Sequence, residues 1–347
     1  MTSRPQGHRP TLEDVARQSG ASRSTVSRVI NGSPRVSPAA AARVRSAVAE
    51  LGFVPNQAAR SLVTRRNDAI AVVVTEPQNR LFVDPFFDRH LRGIRRELVE
   101  QGAQLVLLLI EEPDDYPRVG NFLAGGHVDG ALLFSLRVDD PLPETVDRMG
   151  LPAVFGGRPL PGPRHDGHAY TYVDADNRGG AAEAVRHLVA QGRGHIATIT
   201  GPLNQAAAID RLDGYRDVLP DSPPRLIAEG DFTVQGGADA MRRLLDRNPR
   251  LDAVFAASDL MARGALRTLR EHRRTVPDDV AVIGFDDLPL PEERNEPSLT
   301  TVHQDIEGMG RLMARLLFQR IQNTDDTPAG RTDSVITPTR LILRETA

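Results

Sequence analysis

Polar and aromatic residues that follow short apolar runs are where this 347-residue chain could do chemistry. In its longer part these are Thr75-Glu76, Arg158, Gly201, Phe232, Ser258-Asp259 and Phe285-Asp286-Asp287, with Arg211 shortly after Gly201. A planar guanidinium and a carboxylate can each engage two neighbouring polar groups, and an aromatic ring can cover an apolar face, so the Arg, Asp and Phe residues among these are candidates for ligand contact. Each also has a plainer use: Asp286 could cap a turn, Arg211 could pair with an acid and Phe232 could belong to a core. A second chemistry sits near the N-terminus, where Arg23, Ser24, Ser27 and Arg28 share one face of a short helical pattern. That face could meet a polyanion.

Composition removes most catalytic readings. The chain has no Cys, hence no disulfide, thiolate nucleophile or Cys-ligated metal. All 43 basic residues are Arg, which rules out a Schiff-base or P-loop lysine. No G-x-S-x-G, H-E-x-x-H or G-x-G-x-x-G occurs, and the nine His are scattered, with His187 and His195 in a helix-to-strand segment that suits surface or capping roles. Asp286-Asp287 lacks the further ligands a cation needs. No catalytic residue, metal or cofactor is expected.

Charge is divided unequally. Residues 1–66 hold 11 Arg against Glu13, Asp14 and Glu50, a balance of +8, so a total of −3 leaves −11 for the rest. A basic module on an acidic body points to nucleic acid, with a membrane surface as the alternative. The N-terminus lacks a signal-peptide core and the longest apolar runs are strand-sized, so a cytoplasmic protein with no membrane partner is expected.

The elements that would position the basic residues are three short helices. Thr11-Leu12-Glu13-Asp14 has the form of a capping box, Gly20 breaks the helix it starts, and Ser22 can cap a second helix from Arg23 to Asn31. Val26, Val29 and Ile30 of that second helix would face inward. Ser37-Pro38 opens a third helix that Gly52 stops. A pair of helices joined by Ser19-Gly20-Ala21 has the dimensions of a helix-turn-helix, whose second helix would bring Arg23, Ser24 and Arg28 to base edges. The same spacing also fits a small solvated bundle.

From Ala69 onward, strand-sized runs alternate with helical stretches, the pattern of doubly wound parallel sheets. The series is read as two lobes. Ligands in such folds bind beyond the carboxyl ends of the strands, which is where the candidate residues lie.

The run T-L-E-D-V-A-R-Q-S-G-A-S-R-S-T-V-S-R-V-I-N-G, followed by V-S and by L-G-F-V-P-N-Q-A-A-R-S-L, strongly resembles the LacI/GalR family of bacterial transcription regulators. D-P-F-F at Asp84, D-N-x-x-G-G at Asp176, I-T-G-P at Ile199, R-L-D-G-Y at Arg211, G-F-D-D at Gly284 and P-S-L-T-T-V at Pro297 extend the resemblance over nearly the whole chain. It implies an all-α helix-turn-helix domain (residues 1–54), a hinge helix (55–66) and a two-lobed α/β domain like a periplasmic sugar-binding protein (67–347). Lobe one would take 67–172 and 303–333, and lobe two 173–302 and 334–347, with three crossings forming a hinge.

By this resemblance Arg23, Ser24 and Arg28 read the major groove, while Thr11, Ser22, Thr25, Ser27, Asn31 and Arg35 approach phosphates. Asn56, Ala59 and Leu62 belong to the hinge helix, whose alanine and leucine enter the minor groove and kink the duplex. Arg158, Arg211, Phe232, Ser258, Asp259 and Asp286 would bind the effector. A departure is Phe155-Gly156-Gly157-Arg158-Pro159, where many relatives carry an aspartate before Arg-Pro. The stretch EPQNRLFVDPFF resembles actinobacterial members associated with plant-derived oligosaccharides. The expected protein is a homodimeric repressor of carbohydrate genes, bound to a pseudo-palindromic operator and controlled by a sugar, with a purine-type co-repressor as the alternative. No leucine-rich heptad follows TPTRLILRETA, so a tetramer built on such a tail is not expected.

Overall fold

The computed structural model describes residues 10–30, 35–54, 66–160, 170–291, 297–322 and 334–347. The chain divides into two units, Met1–Asn67 and Asp68–Ala347.

In the first unit the helices are Leu12–Ser19, Arg23–Ile30 and Pro38–Leu51. Each begins where a side chain satisfies an otherwise unpaired amide. Thr11 and Asp14 form the reciprocal capping box, Ser22 Oγ accepts from the Thr25 amide at 3.2 Å, and Ser37 accepts from the Ala40 amide with Pro38 in the first turn. Gly20 and Gly52 end the first and third helices in the left-handed conformation that an L side chain resists. Val15, Val26, Val44, Ala47 and Phe53 make the core, so the inward face expected from Val26, Val29 and Ile30 packs as anticipated and Phe53 joins it from beyond the third helix.

The second unit is built on two six-stranded sheets. The first contains β1 (Ala69–Val74), β2 (Gln104–Leu109), β3 (Gly130–Phe134), β4 (Ala153–Gly156), β5 (Tyr172–Ala175) and β11 (Val335–Thr337), in the order β11-β5-β4-β3-β1-β2. The second contains β6 (Ile196–Thr200), β7 (Ile227–Glu229), β8 (Ala253–Ala256), β9 (Ala281–Asp286), β10 (Thr300–Gln304) and β12 (Thr339–Ile342), in the order β12-β10-β9-β8-β6-β7. All recorded pairings are parallel except β10 with β12. Central strands such as β1, and β9 up to its terminal Asp286, are apolar because helices cover both faces.

Three lobe assignments made from sequence are corrected. Val173 and its neighbours pair with β4 and therefore belong to the first lobe, and Val335–Thr337 pairs with β5 in that same lobe. Conversely, His303 and Gln304 belong to β10 of the second lobe. The chain thus crosses at Asp176, Asp305 and Pro338. Buried parallel strands look alike in sequence whichever sheet they join, and the Pro- and Gly-rich stretch before Tyr170 imitates a boundary. Asp176 and Asp305 each cap the helix that follows, accepting from Gly179 and Gly308 amides at 2.9 Å.

Helix Pro85–Glu100 packs against helix Ile306–Gln322, and the contact depends on glycine. A Cβ at Gly93 would strike the Glu307 carbonyl oxygen, and one at Gly310 would strike that of His90. We predict that Gly93→Ala lowers the unfolding free energy by about 1–3 kcal/mol, the usual range for overpacking, as measured by urea denaturation. An unchanged midpoint would show that the two helices can part without loss.

Candidate functional site

In the first unit the second helix presents Arg23, Ser24 and Arg28 to solvent, beside the exposed Ser22. Thr25 and Ser27 are half-buried and Arg35 is exposed. Arg23 pairs with Glu13 of the first helix at 3.1 Å, both well exposed, a weak tie that a phosphate or base edge can replace. Ser22 Oγ lies 2.9 Å from Ser24 Oγ and 2.8 Å from Thr25 Oγ1, so the hydroxyls cluster at the start of the helix. Thr11 is committed to the capping box, its hydroxyl donating to Asp14 at 2.8 Å. Asn31, Asn56, Ala59 and Leu62 lie outside the described residues.

In the second unit a cleft opens between the lobes, with about 890 Å³ of empty space out to its mouth. Arg158, Arg211, Phe232, Ser258 and Asp286 line it. Asp259 does not: its buried carboxylate accepts from the Thr301 hydroxyl at 2.5 Å and the Leu288 amide at 2.7 Å, which ties the start of its helix to β10. The sequence expectation of an effector contact at Asp259 is corrected accordingly. Its neighbour Ser258 caps that same helix, accepting from the Met261 amide at 3.3 Å, and does reach the cleft.

A hydrogen-bonded chain runs from one lobe to the other along the cleft floor. The Arg158 amide donates to Asp174 at 3.0 Å, and Asn177 Nδ2 donates to the same carboxylate at 2.9 Å. Asn177 Oδ1 in turn accepts from Arg211 Nε at 2.8 Å. Arg211 also donates to the Ala257 carbonyl at 2.5 Å and stands 3.4 Å from Asp286, which accepts from Gln304 at 2.6 Å. Burial pushes the Asp286 carboxyl well above its ordinary range, and the nearby Arg211 charge opposes that rise. Burial likewise lowers the Arg211 pKa, with Asp286 acting against the shift. Mutual attraction within the pair thus counters, without cancelling, the burial that favours the neutral form of each group.

The walls add aromatic surface. Phe232 adopts a φ of 62° and Asp286 one of 112°, unfavourable values for side-chain-bearing residues that locate backbone strain at the cleft. Gly201 leaves the space that the Phe232 ring occupies. Arg80 reaches across from the first lobe to lie 5.1 Å from the Phe232 ring, and pairs with Glu76 at 2.6 Å. Glu76 also accepts from Gln205 of the second lobe at 3.0 Å, and Arg158 meets Asp210 at 2.7 Å. Each guanidinium lining the cleft thus has a carboxylate: Arg80 has Glu76, Arg158 has Asp210 and Arg211 has Asp286. Among the described residues no cleft guanidinium is left unpaired for a phosphorylated or carboxylated ligand, and Asp84 and Asp174 add further carboxylates, so the site suits a neutral, hydroxyl-rich ligand.

Sequence reasoning did not single out Arg80, Asn177, Gln205 or Gln304. Asn177 and Gln304 follow or end strands β5 and β10, so the strand-end rule finds them once both strands are placed. Arg80 and Gln205 enter from loop-side helices, for which periodicity gives no signal.

Residues 11–56 match the family described as bacterial regulatory proteins, lacI family, and residues 185–347 match a periplasmic binding protein-like domain. The HTH-type transcriptional regulator CelR of Thermobifida fusca is 49% identical over 341 residues, covering 97% of this chain and 98% of that protein. The ribose operon repressor of Escherichia coli K12 is 37% identical, covering 90% and 93%. Among solved structures, a complex of CelR with cellobiose superposes with a TM-score of 0.75 at 47% identity, covering 98% of this chain and all of that one. The lac repressor dimer bound to operator and the anti-inducer ONPF gives 0.82 at 26% identity, covering 98% and 99%. With the capped helix-turn-helix and the two-lobed cleft already in view, these matches establish that the chain belongs to the lacI family of bacterial regulatory proteins, DNA-binding transcription regulators rather than enzymes.

Proposed function

We propose that this regulator represses carbohydrate-utilisation genes and that a neutral sugar or short oligosaccharide of the cellobiose class, bound between the lobes, changes its affinity for operator. The observation that carries the reading is the cleft itself: aromatic walls, hydrogen-bonding groups and three guanidiniums each matched by a carboxylate. The cellobiose complex of a regulator 47% identical in sequence supports the choice of sugar. Arg211 and Asp286 engage ligand hydroxyls, Phe232 stacks on the sugar face, and Arg158 and Ser258 complete the contacts. A ligand bridging the lobes favours one lobe arrangement over another, a population shift and not a catalytic step.

On DNA, Arg23, Ser24 and Arg28 read base edges, while Thr11, Ser22, Thr25, Ser27, Asn31 and Arg35 approach phosphates. Asn56, Ala59 and Leu62 serve the minor groove. One reading helix covers half a site, so the working form is a homodimer on a pseudo-palindrome. Such a protein works in the cytoplasm, at the nucleoid. A purine-type co-repressor is the competing reading.

Gel-shift binding to the chain's own upstream DNA at fixed salt, with cellobiose, ribose and a purine base each added in turn, decides between them. Release by cellobiose is expected; tightening by the purine instead would reverse the reading. Leu62→Ala should weaken operator binding by about tenfold, as loss of a base-step wedge implies. Equal affinity before and after that change would remove the minor-groove role. Arg211→Ala should keep operator binding and lose the sugar response, and a normal response would take Arg211 out of the effector site.

A further inference from the structure

His90 lies in the second turn of helix Pro85–Glu100 and lines the effector cleft, yet it is only 3% exposed. Its ring is held between Phe86, 4.6 Å away, and Phe134, 5.1 Å away. Nδ1 stands 3.4 Å from the Phe86 carbonyl oxygen one turn earlier. A carbonyl has no hydrogen to give, so Nδ1 carries the proton and Nε2 presents a lone pair. Burial holds the imidazole pKa down at about 4, so the ring is neutral at physiological pH and Nε2 can only accept.

No group among the described residues meets Nε2. A buried acceptor without a donor is costly, and such exceptions call for a partner from outside the chain. The second lobe offers a contrast, because Arg211, Asp286 and Gln304 bond to one another or to Asn177 and the main chain. Among the described cleft-lining residues Arg80 Nε is also without a hydrogen-bond partner, but that guanidinium is ion-paired to Glu76, which leaves His90 Nε2 as the unmatched acceptor, set among phenylalanines of the first lobe where a single hydrogen bond discriminates strongly between ligands.

We infer that His90 is a specificity-determining residue of the cleft, its Nε2 accepting a hydrogen bond from one hydroxyl of the bound sugar. This rests on the sugar reading above and deepens it. The first lobe then selects its ligand by the position of a hydroxyl donor against an apolar wall. An ether, a carbonyl or a bare C–H at that position leaves Nε2 unmatched and is rejected.

Isothermal titration of the full-length protein with cellobiose tests this, comparing wild type, His90→Phe and His90→Gln, with heat melting of each ligand-free protein to confirm folding. Phe keeps the ring and removes the acceptor, while Gln restores an acceptor near the Nε2 position. The expected result is binding to His90→Phe weaker by on the order of tenfold or more, with substantial recovery in His90→Gln. A series of monodeoxy cellobioses supplies the readout that mere repacking would not move. One deoxy sugar should bind wild type more weakly than cellobiose does, yet bind His90→Phe as well as cellobiose does. Wild-type affinity in a folded His90→Phe protein overturns the inference and leaves the sugar reading standing. Failure of folded wild type to bind cellobiose, or any sugar of the gel-shift panel, overturns both.

Discussion

The main chain passes between two separately closed sheets at Asp176, Asp305 and Pro338, and this constraint governs the rest of the effector unit. Each lobe buries its own core, with the first built around Val72, Leu132 and Val154 and the second around Ile199, Val254 and Val282. Neither lobe can drift away from the other because all three connections lie together on one side. Thr337 marks how closely they run: its carbonyl accepts from the Asp176 amide at 2.9 Å, while its hydroxyl donates to the Asp174 carbonyl at 3.1 Å. The strand ends of both sheets consequently face a common space, and polar residues placed there need no further device to meet.

What they meet as is set by electrostatics. A buried guanidinium is tolerable only with a partner, and a buried carboxylate likewise. The network from Arg158 through Asp174, Asn177 and Arg211 to Asp286 and Gln304 satisfies both conditions and fixes each donor in place. Preorganisation of this kind lowers the ordering cost of ligand binding. The same balance explains why a chain with three cleft arginines is suited to neutral molecules and not to anions.

Much of this was legible in the residues. The capping signals at Thr11 and Ser37, with Gly20 and Gly52 as stops, place the three N-terminal helices because caps are local chemistry. Apolar runs such as Ala69–Val74 and Val280–Phe285 announce strands for the same reason. Sheet membership was not legible for Tyr172–Ala175 or Val335–Thr337, since pairing is a long-range choice between strands of equal character. Asp259 misled because Ser-Asp after a strand signals a helix start and a cleft position alike, and here Thr301 and Leu288 claim the carboxylate. His90 gave no signal in the sequence, and the orphaned Nε2 of the folded chain is what marks it.

Pro338 alone separates β11 in one sheet from β12 in the other, and both are edge strands. Thr337 and Thr339 can be no more than about 7–8 Å apart at the Cα atoms, so this link cannot stretch to let the lobes separate by sliding. Motion must pivot near it. Strands β1 and β6 are each fourth neighbours of those edges, which at about 4.8 Å per strand sets them roughly 19 Å from the pivot. Every degree of rotation therefore carries the Glu76–Gln205 bridge through about 0.3 Å, while the Arg158–Asp210 pair, after β4, travels about half as far. The cleft is geared like a lever, with its outer bonds breaking first.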